Sequence, residues 1–133
     1  MHGMGIEKRP DGSVVYEGEL KDGLYDGYGT FNCANGDVYT GEWRANKRHG
    51  KGVMSYSNQD SYDGEWKENR KHGMGTMKYH NVEVYEGEFS NGKMHGGGTF
   101  EYAAGDVLKS IREWREGKKF GLFEVIVRKQ VYC

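Results

Sequence analysis

Residues 39–61, YTGEWRANKRHGKGVMSYSNQDS, decide how the whole chain reads. Tyr39, Gly41 and Trp43 alternate with Thr40, Glu42 and Arg44, the period-two signature of a β-strand whose two faces differ. After Asn46-Lys47-Arg48-His49-Gly50, read as a turn, a second run puts Met54 and Tyr56 on one face and Val53 and Ser55 on the other. The stretch is therefore expected to be a β-hairpin. Its opening tyrosine recurs as Tyr16, Tyr39, Tyr62 and Tyr85 at a constant spacing of 23 residues, without insertion or deletion. Such self-similarity marks a repeat protein.

Four full units follow: 16–38, 39–61, 62–84 and 85–107. Residues 1–15 form a partial N-terminal unit. Residues 108–133 hold a degenerate unit, with Glu113-Trp114, Gly117 and Gly121, and then a tail rich in β-branched residues that is expected to be a capping strand. The expectation is one all-β domain over 1–133, an elongated single-layer antiparallel sheet of tandem 23-residue hairpins. Two strands per unit at ~4.8 Å each give roughly 10 Å per repeat.

Composition supports folding by aromatic rather than aliphatic side chains. Leu, Ile, Val and Phe make up less than a fifth of the 133 residues, a level that with high net charge signals disorder. Here 19 Lys+Arg face 20 Asp+Glu, and aromatics reach 14%, which opposes a disordered reading. Glycine appears 22 times and proline once, as expected of many tight turns. Cys33 and Cys133 are too few for a disulfide framework or a four-thiolate zinc site, so a reduced, cytoplasmic chain is the default expectation. No apolar stretch approaches the ~18 residues of a membrane-spanning helix.

Recurring polar residues suggest chemistry and then fail its requirements. His49, His72 and His95 recur in register, but equivalents in adjacent hairpins lie roughly 10 Å apart, too far to share a zinc ion. Glu19, Glu42, Glu65, Glu88 and Glu113 have no recurring acid–base partner, and are expected to accept hydrogen bonds from turn backbone or pair with basic residues. His95-Gly96-Gly97-Gly98 resembles a lipase oxyanion segment, yet the chain has no Gly-x-Ser-x-Gly elbow. No P-loop occurs either. The expectation is no catalytic residue, no metal and no cofactor.

Charge separates by turn type. One edge of the ribbon is expected to carry Lys47, Arg48, Arg70, Lys71, Lys93, Lys118 and Lys119. The other carries Asp11, Asp37, Asp60, Glu83 and Asp106. A basic ridge of this kind suits an acidic protein or an anionic lipid surface, while overall neutrality argues against nucleic acid.

Tyr39-Thr40-Gly41-Glu42-Trp43 and Tyr62-Asp63-Gly64-Glu65-Trp66, each followed by a basic residue and His-Gly-x-Gly, closely resemble the MORN repeat (membrane occupation and recognition nexus). The resemblance covers nearly all of residues 2 to 121. Tyr25-Asp26 departs from the basic-His pair, and Asn46 and Asn69 replace a turn glycine. Asn tolerates positive φ; Val82, in place of another glycine, does not, which sets that turn apart. The resemblance implies a tandem-hairpin, non-enzymatic interaction scaffold of a cytoskeletal, ciliary or axonemal assembly. In that reading Tyr39, Trp43, Tyr62, Trp66, Tyr85 and Phe89, with Tyr56, Tyr79 and Tyr102, line a groove that docks an extended or helical partner segment. The alternative is a peripheral phosphoinositide-binding module acting through the basic edge. The tail strand could also pair with a second copy, giving a homodimer.

Overall fold

Each unit's two alternating runs become two antiparallel strands, and the strands of successive units pair side by side. The computed structural model describes residues 2–102, 106–115, 118–120 and 123–127, with side chains from residue 3 to residue 102. In order, the strands are β1 (His2–Lys8), β2 (Val14–Lys21), β3 (Leu24–Asn32), β4 (Val38–Arg44), β5 (Lys47–Ser55) and β6 (Ser61–Lys67), then β7 (Arg70–Lys78), β8 (Val84–Ser90), β9 (Lys93–Glu101), β10 (Asp106–Arg115), β11 (Lys118–Phe120) and β12 (Phe123–Val127). They form one open sheet in sequence order from β1 to β11, with β12 also paired to β10. Every pairing is antiparallel. The expected capping strand is β12, running from Ser110↔Phe123 to Asp106↔Val127. The remainder of that tail, 128–133, lies outside the described residues. No helix of the described residues is long and apolar enough to cross a membrane.

The turn within a unit is shorter than the sequence suggests. Ala45 and Asn46 alone make it, with φ of 46° and 70°, and Glu68-Asn69 and Asn91-Gly92 repeat the geometry. Two consecutive positive φ values define the type I′ loop, whose twist matches that of the flanking strands. Lys47 to Gly50 therefore belong to β5 rather than to a turn, and Arg48 lies directly across from Trp43.

The turn between units relies on Asn and Asp side chains. Asn35 Oδ1 accepts the Asp37 amide at 3.0 Å, and Asn58 and Asn81 do the same for Asp60 and Glu83. Asp37 and Asp60 then reach forward, accepting the amides of Ser57 and His80 in the following unit, both at 2.8 Å. Val82 keeps this turn with φ 67°, a left-handed conformation costly for a β-branched residue. Its neighbours Tyr79 and Glu83 hold the loop by backbone hydrogen bonds.

One row of residues explains how a single sheet builds a core. Gly5, Gly18, Gly29, Gly41, Gly52, Gly64, Gly75, Gly87 and Gly98 sit opposite one another, strand after strand, and the row ends at Ser110. Tyr39 lies over Gly41 and Gly52, so closely that a Cβ on either would overlap its ring or hydroxyl. Tyr16, Tyr62 and Tyr85 cover their own glycine pairs in the same way. All four are at most 1% exposed. Each hydroxyl donates to the carbonyl three residues on, at 2.7 to 3.0 Å: Glu19, Glu42, Glu65 and Glu88. Burial pushes the Tyr16 phenol up to about 12 and the other three higher still.

In the last three full units a second ring wedges between tyrosines, where the first unit has Leu20. Trp43 meets Tyr39 at 5.0 Å and Tyr16 at 5.7 Å, both at 84° between planes. Trp66 lies between Tyr62 and Tyr39, and Phe89 between Tyr85 and Tyr62, again edge to face. This is the favoured arrangement of aromatic quadrupoles, and it runs unbroken through all four units. The indoles of Trp43 and Trp66 also donate to the carbonyls of Gly29 and Gly52. Phe89 has no such donor.

The recurring glutamate and the His-Gly-x-Gly segment form one device. Between Gly41↔Gly52 and Trp43↔Arg48, β4 contributes Glu42 alone while β5 contributes His49, Gly50 and Lys51. That bulge takes the Lys51 amide off the ladder, and Glu42 accepts it at 2.6 Å. Gly50, at φ 77°, lies beneath the carboxylate where a Cβ would collide with it. Glu19, Glu65 and Glu88 accept the amides of Tyr28, Met74 and Gly97 in the same position. Of the two roles expected for the recurring glutamates, these four take the one that accepts backbone amides, and the Glu113 side chain lies outside the described residues.

Candidate interaction face

The six anchors expected in a partner groove are the core itself. Tyr39, Tyr62 and Tyr85 are at most 1% exposed, and Trp43, Trp66 and Phe89 are at most 8% exposed. The glycine row lets these rings sink onto the backbone, and their neighbours cover them, so little surface is left for a partner. The correction moves the candidate site one layer outward. Tyr56, Tyr79 and Tyr102 are half-buried against that core, together with Tyr25, Phe31, Met94 and Phe100.

The expected basic edge is likewise divided. Lys47 stays at the exposed turn and pairs with Glu68 at 2.7 Å. Arg70 and Lys93 are exposed in the same region. Lys118 and Lys119 lie in β11, and their side chains are outside the described residues. Arg48 and Lys71, however, fold over the aromatic face. The two-residue turn sets the parity: Arg48 pairs with Trp43 and Lys71 with Trp66, so both point to the side of the rings. The Arg48 guanidinium sits 4.8 Å from the centre of Trp66 and 5.9 Å from that of Tyr39. Lys71 Nζ stands 5.2 Å from the Tyr56 ring and 5.4 Å from Tyr62.

Electrostatics follow this placement. Burial pushes the Lys71 ammonium below its ordinary range, and the charge of Arg48 lowers it further, against a smaller opposing pull from Asp60. Burial raises the Tyr56 phenol to about 12, despite Arg48 acting the other way. At Asp60 partial burial acts upward, but hydrogen bonds from the His80 amide, the His80 ring and Asn58 hold the carboxyl below its usual value. Asp60 is thereby committed to the turn.

A hollow of about 240 Å³ opens on this face beside Arg48, between Tyr25, Phe31, Trp43 and Met54. Tyr25 occupies the position that Arg48 and Lys71 hold in the next two units. It stacks on Tyr16 at 3.8 Å and 11°, and its hydroxyl donates to Glu7 at 2.5 Å. Alternation along the second strand puts Phe31 on the same face as Met54 and Tyr56, but sequence reading missed Tyr25 and Met94 as members of the face. Parity through a two-residue turn was the signal that would have found them. Among the described residues no three His, Cys, Asp or Glu side chains gather as metal ligands.

The opposite face carries the four bulge glutamates and isolated exposed apolar residues, Met4, Ile6, Tyr28, Val53 and Met74. Near the turns it also sets Arg44 across from Lys47 and Lys67 across from Arg70.

A family model of the MORN repeat matches residues 1–14, 16–38, 39–61, 62–81 and 85–107. No curated protein matches the chain.

Proposed function

Because the chain belongs to the MORN-repeat family, a family of non-enzymatic repeats that serve as protein- or membrane-interaction modules, we propose that it is a scaffold that docks a partner segment on its aromatic face. The observation that carries this is the set of half-buried rings Tyr25, Phe31, Tyr56, Tyr79, Phe100 and Tyr102 packed against the core, of which Tyr25 and Phe31 line a side-chain-sized hollow. Aromatic side chains with an apolar body and a polar tip are the residues on which protein interfaces concentrate their energy. The resemblance supports membership of a cytoskeletal or axonemal assembly, and a cytoplasmic location with it.

A second reading rests on a separate observation. Like charges directly opposite in a sheet are destabilising, yet Arg44/Lys47 and Lys67/Arg70 are two such pairs, the first offset by Glu68 on Lys47. An anionic membrane surface would relieve that repulsion, with phosphoinositide headgroups as the ligand.

The two readings separate in one experiment. The tagged full chain is recovered from cells together with its partner, in parallel with Tyr56→Ser/Tyr79→Ser and with Lys67→Glu/Arg70→Glu. Loss of a stoichiometric protein in the tyrosine variant, with retention in the charge variant, supports docking on the aromatic face. Retention in the tyrosine variant, with loss of membrane association in the charge variant, replaces it by the lipid reading.

A further inference from the structure

The four units agree where the fold needs them to and differ at the tenth residue. That position is Tyr25, Arg48, Lys71 and Met94 in turn, each on the aromatic face across from Leu20, Trp43, Trp66 and Phe89. The outer units fill it with apolar side chains, and these pack against the core. The middle units fill it with cations, although the same scaffold accepts a tyrosine or a methionine there. Partial burial of an ammonium group is unfavourable unless it is paired. Among the described residues neither Arg48 nor Lys71 has an ion-pair partner. Arg48 donates only to Asn69, and Lys71 meets only the two tyrosine rings. The hydroxyls of Tyr56 and Tyr79 have no hydrogen-bond partner among the described residues either. Two cations and the Tyr56 phenol, close enough for Arg48 to influence both Lys71 and Tyr56, thus converge with donors to spare, while the nearby Asp60 carboxylate is taken up by the His80 amide and ring.

We infer that the aromatic face takes an acidic peptide segment, with a carboxylate on Arg48 and Lys71 and a bulky apolar side chain in the hollow beside Tyr25 and Phe31. The inference rests on the docking reading above and specifies the partner's chemistry. A carboxylate is the acceptor that guanidinium and ammonium groups pair with most strongly. The hollow, about 240 Å³, is below the size of small-molecule sites, which begin near ~300 Å³, and accommodates a single large side chain. It lies on the first-unit side of Arg48, whereas Lys71 is one unit further on, a step of roughly 10 Å along the sheet. An extended segment covers that step in about three residues, and a helix in about seven. The partner is therefore expected to carry a large apolar residue and an Asp or Glu at one of those spacings.

A phage library of random linear 16-residue peptides, selected against the full chain, tests this directly. Selected peptides are measured on the wild type, on Arg48→Met/Lys71→Met and on Tyr56→Ser/Tyr79→Ser, with unfolding curves confirming that each variant is folded. The expected result is enrichment of the spaced apolar and acidic pair. Affinity should fall at least tenfold in the methionine variant, and equally when the peptide's acid becomes its amide. Peptides that lose binding in the serine variant but carry no acid, and bind the methionine variant unchanged, overturn the inference and leave the docking reading standing. No enrichment, or peptides indifferent to both variants, overturns both. Phosphatidylserine vesicles that bind the wild type but not the methionine variant, with no acidic peptide selected, overturn it in favour of a lipid ligand.

Discussion

The middle two units and the outer two have the same backbone and differ in what covers it. All four keep the tyrosine, its glycine pair, the glutamate and the bulge glycine. Units 39–61 and 62–84 add tryptophan and a cation, whereas units 16–38 and 85–107 place Leu20 with Tyr25 and Phe89 with Met94. Shared residues therefore make the hairpin and its stacking. Unshared ones set how much of the aromatic face is closed over and what charge it presents. Fold and interaction are separable within one chain, and substitutions can break or sharpen that division.

The largest effect should come from alkali, which attacks the shared tyrosines in every unit at once. Unfolded tyrosines ionise near pH 10, while burial holds Tyr16 near 12 and Tyr39, Tyr62 and Tyr85 above that. A raised folded-state value means the stabilisation is complete below pH 10 and is lost as pH climbs through the folded values. Cooperative unfolding is expected between about pH 10 and 12, with tyrosinate absorbance and loss of sheet signal changing together. Absorbance that rises near pH 10 while the sheet persists would show the rings to be less enclosed than described.

Gly75→Ala strikes one unit. Its Cβ would overlap the Tyr62 ring, and overpacking of this kind costs typically 1–3 kcal/mol. Urea unfolding should place the loss near about 3 kcal/mol, since Trp66, Phe89 and Lys71 close in on the ring from its other sides. Gly92→Ala meets nothing within 4 Å but sits at φ 86°. It should cost only about 1 kcal/mol, through backbone strain. Equal losses at the two sites would contradict the role given to the glycine row.

Trp66→Phe converts a middle unit toward an outer one. The ring remains edge-on to Tyr62, but the Gly52 carbonyl loses its indole donor, for an expected cost of about 1 kcal/mol. Val82→Gly works in the opposite direction. Relieving φ 67° at a β-branched residue should raise stability by up to about 1 kcal/mol, less the added freedom of the unfolded chain. A fall in the midpoint would mean that the Val82 side chain contributes more than its backbone strain removes.

The sequence made the architecture legible because period-two alternation and an exact 23-residue register leave one way to stack the hairpins. It made the glutamates legible for the same reason. Alternation puts Tyr39 and Trp43 on one face and makes them candidates for the core, but it does not show that Gly41 and Gly52 bring the backbone close enough to enclose them. Reading Asn46 to Gly50 as a turn hid more. Once Ala45-Asn46 alone is the turn, Arg48 and Lys71 change from a solvated edge to a cover on the rings, and the site changes with them. The turn acids recur in register as Asp37, Asp60, Glu83 and Asp106, but their periodicity does not show that adjacent turns nest so that Asp37 and Asp60 accept amides of the following unit.

The most direct test of that division between shared and unshared residues is the urea unfolding midpoint of Lys71→Met at neutral pH. Met94 already occupies the equivalent place, and the substitution removes a cation whose ionised form burial disfavours. Its depressed folded-state value means that wild-type stability rises with pH toward the ordinary lysine range, so the gain from methionine is greatest below it. An unchanged or higher midpoint is the predicted result. A loss of more than about 1 kcal/mol, the scale of an ordinary structural contact, would show that Lys71 holds the fold together, and would contradict the account.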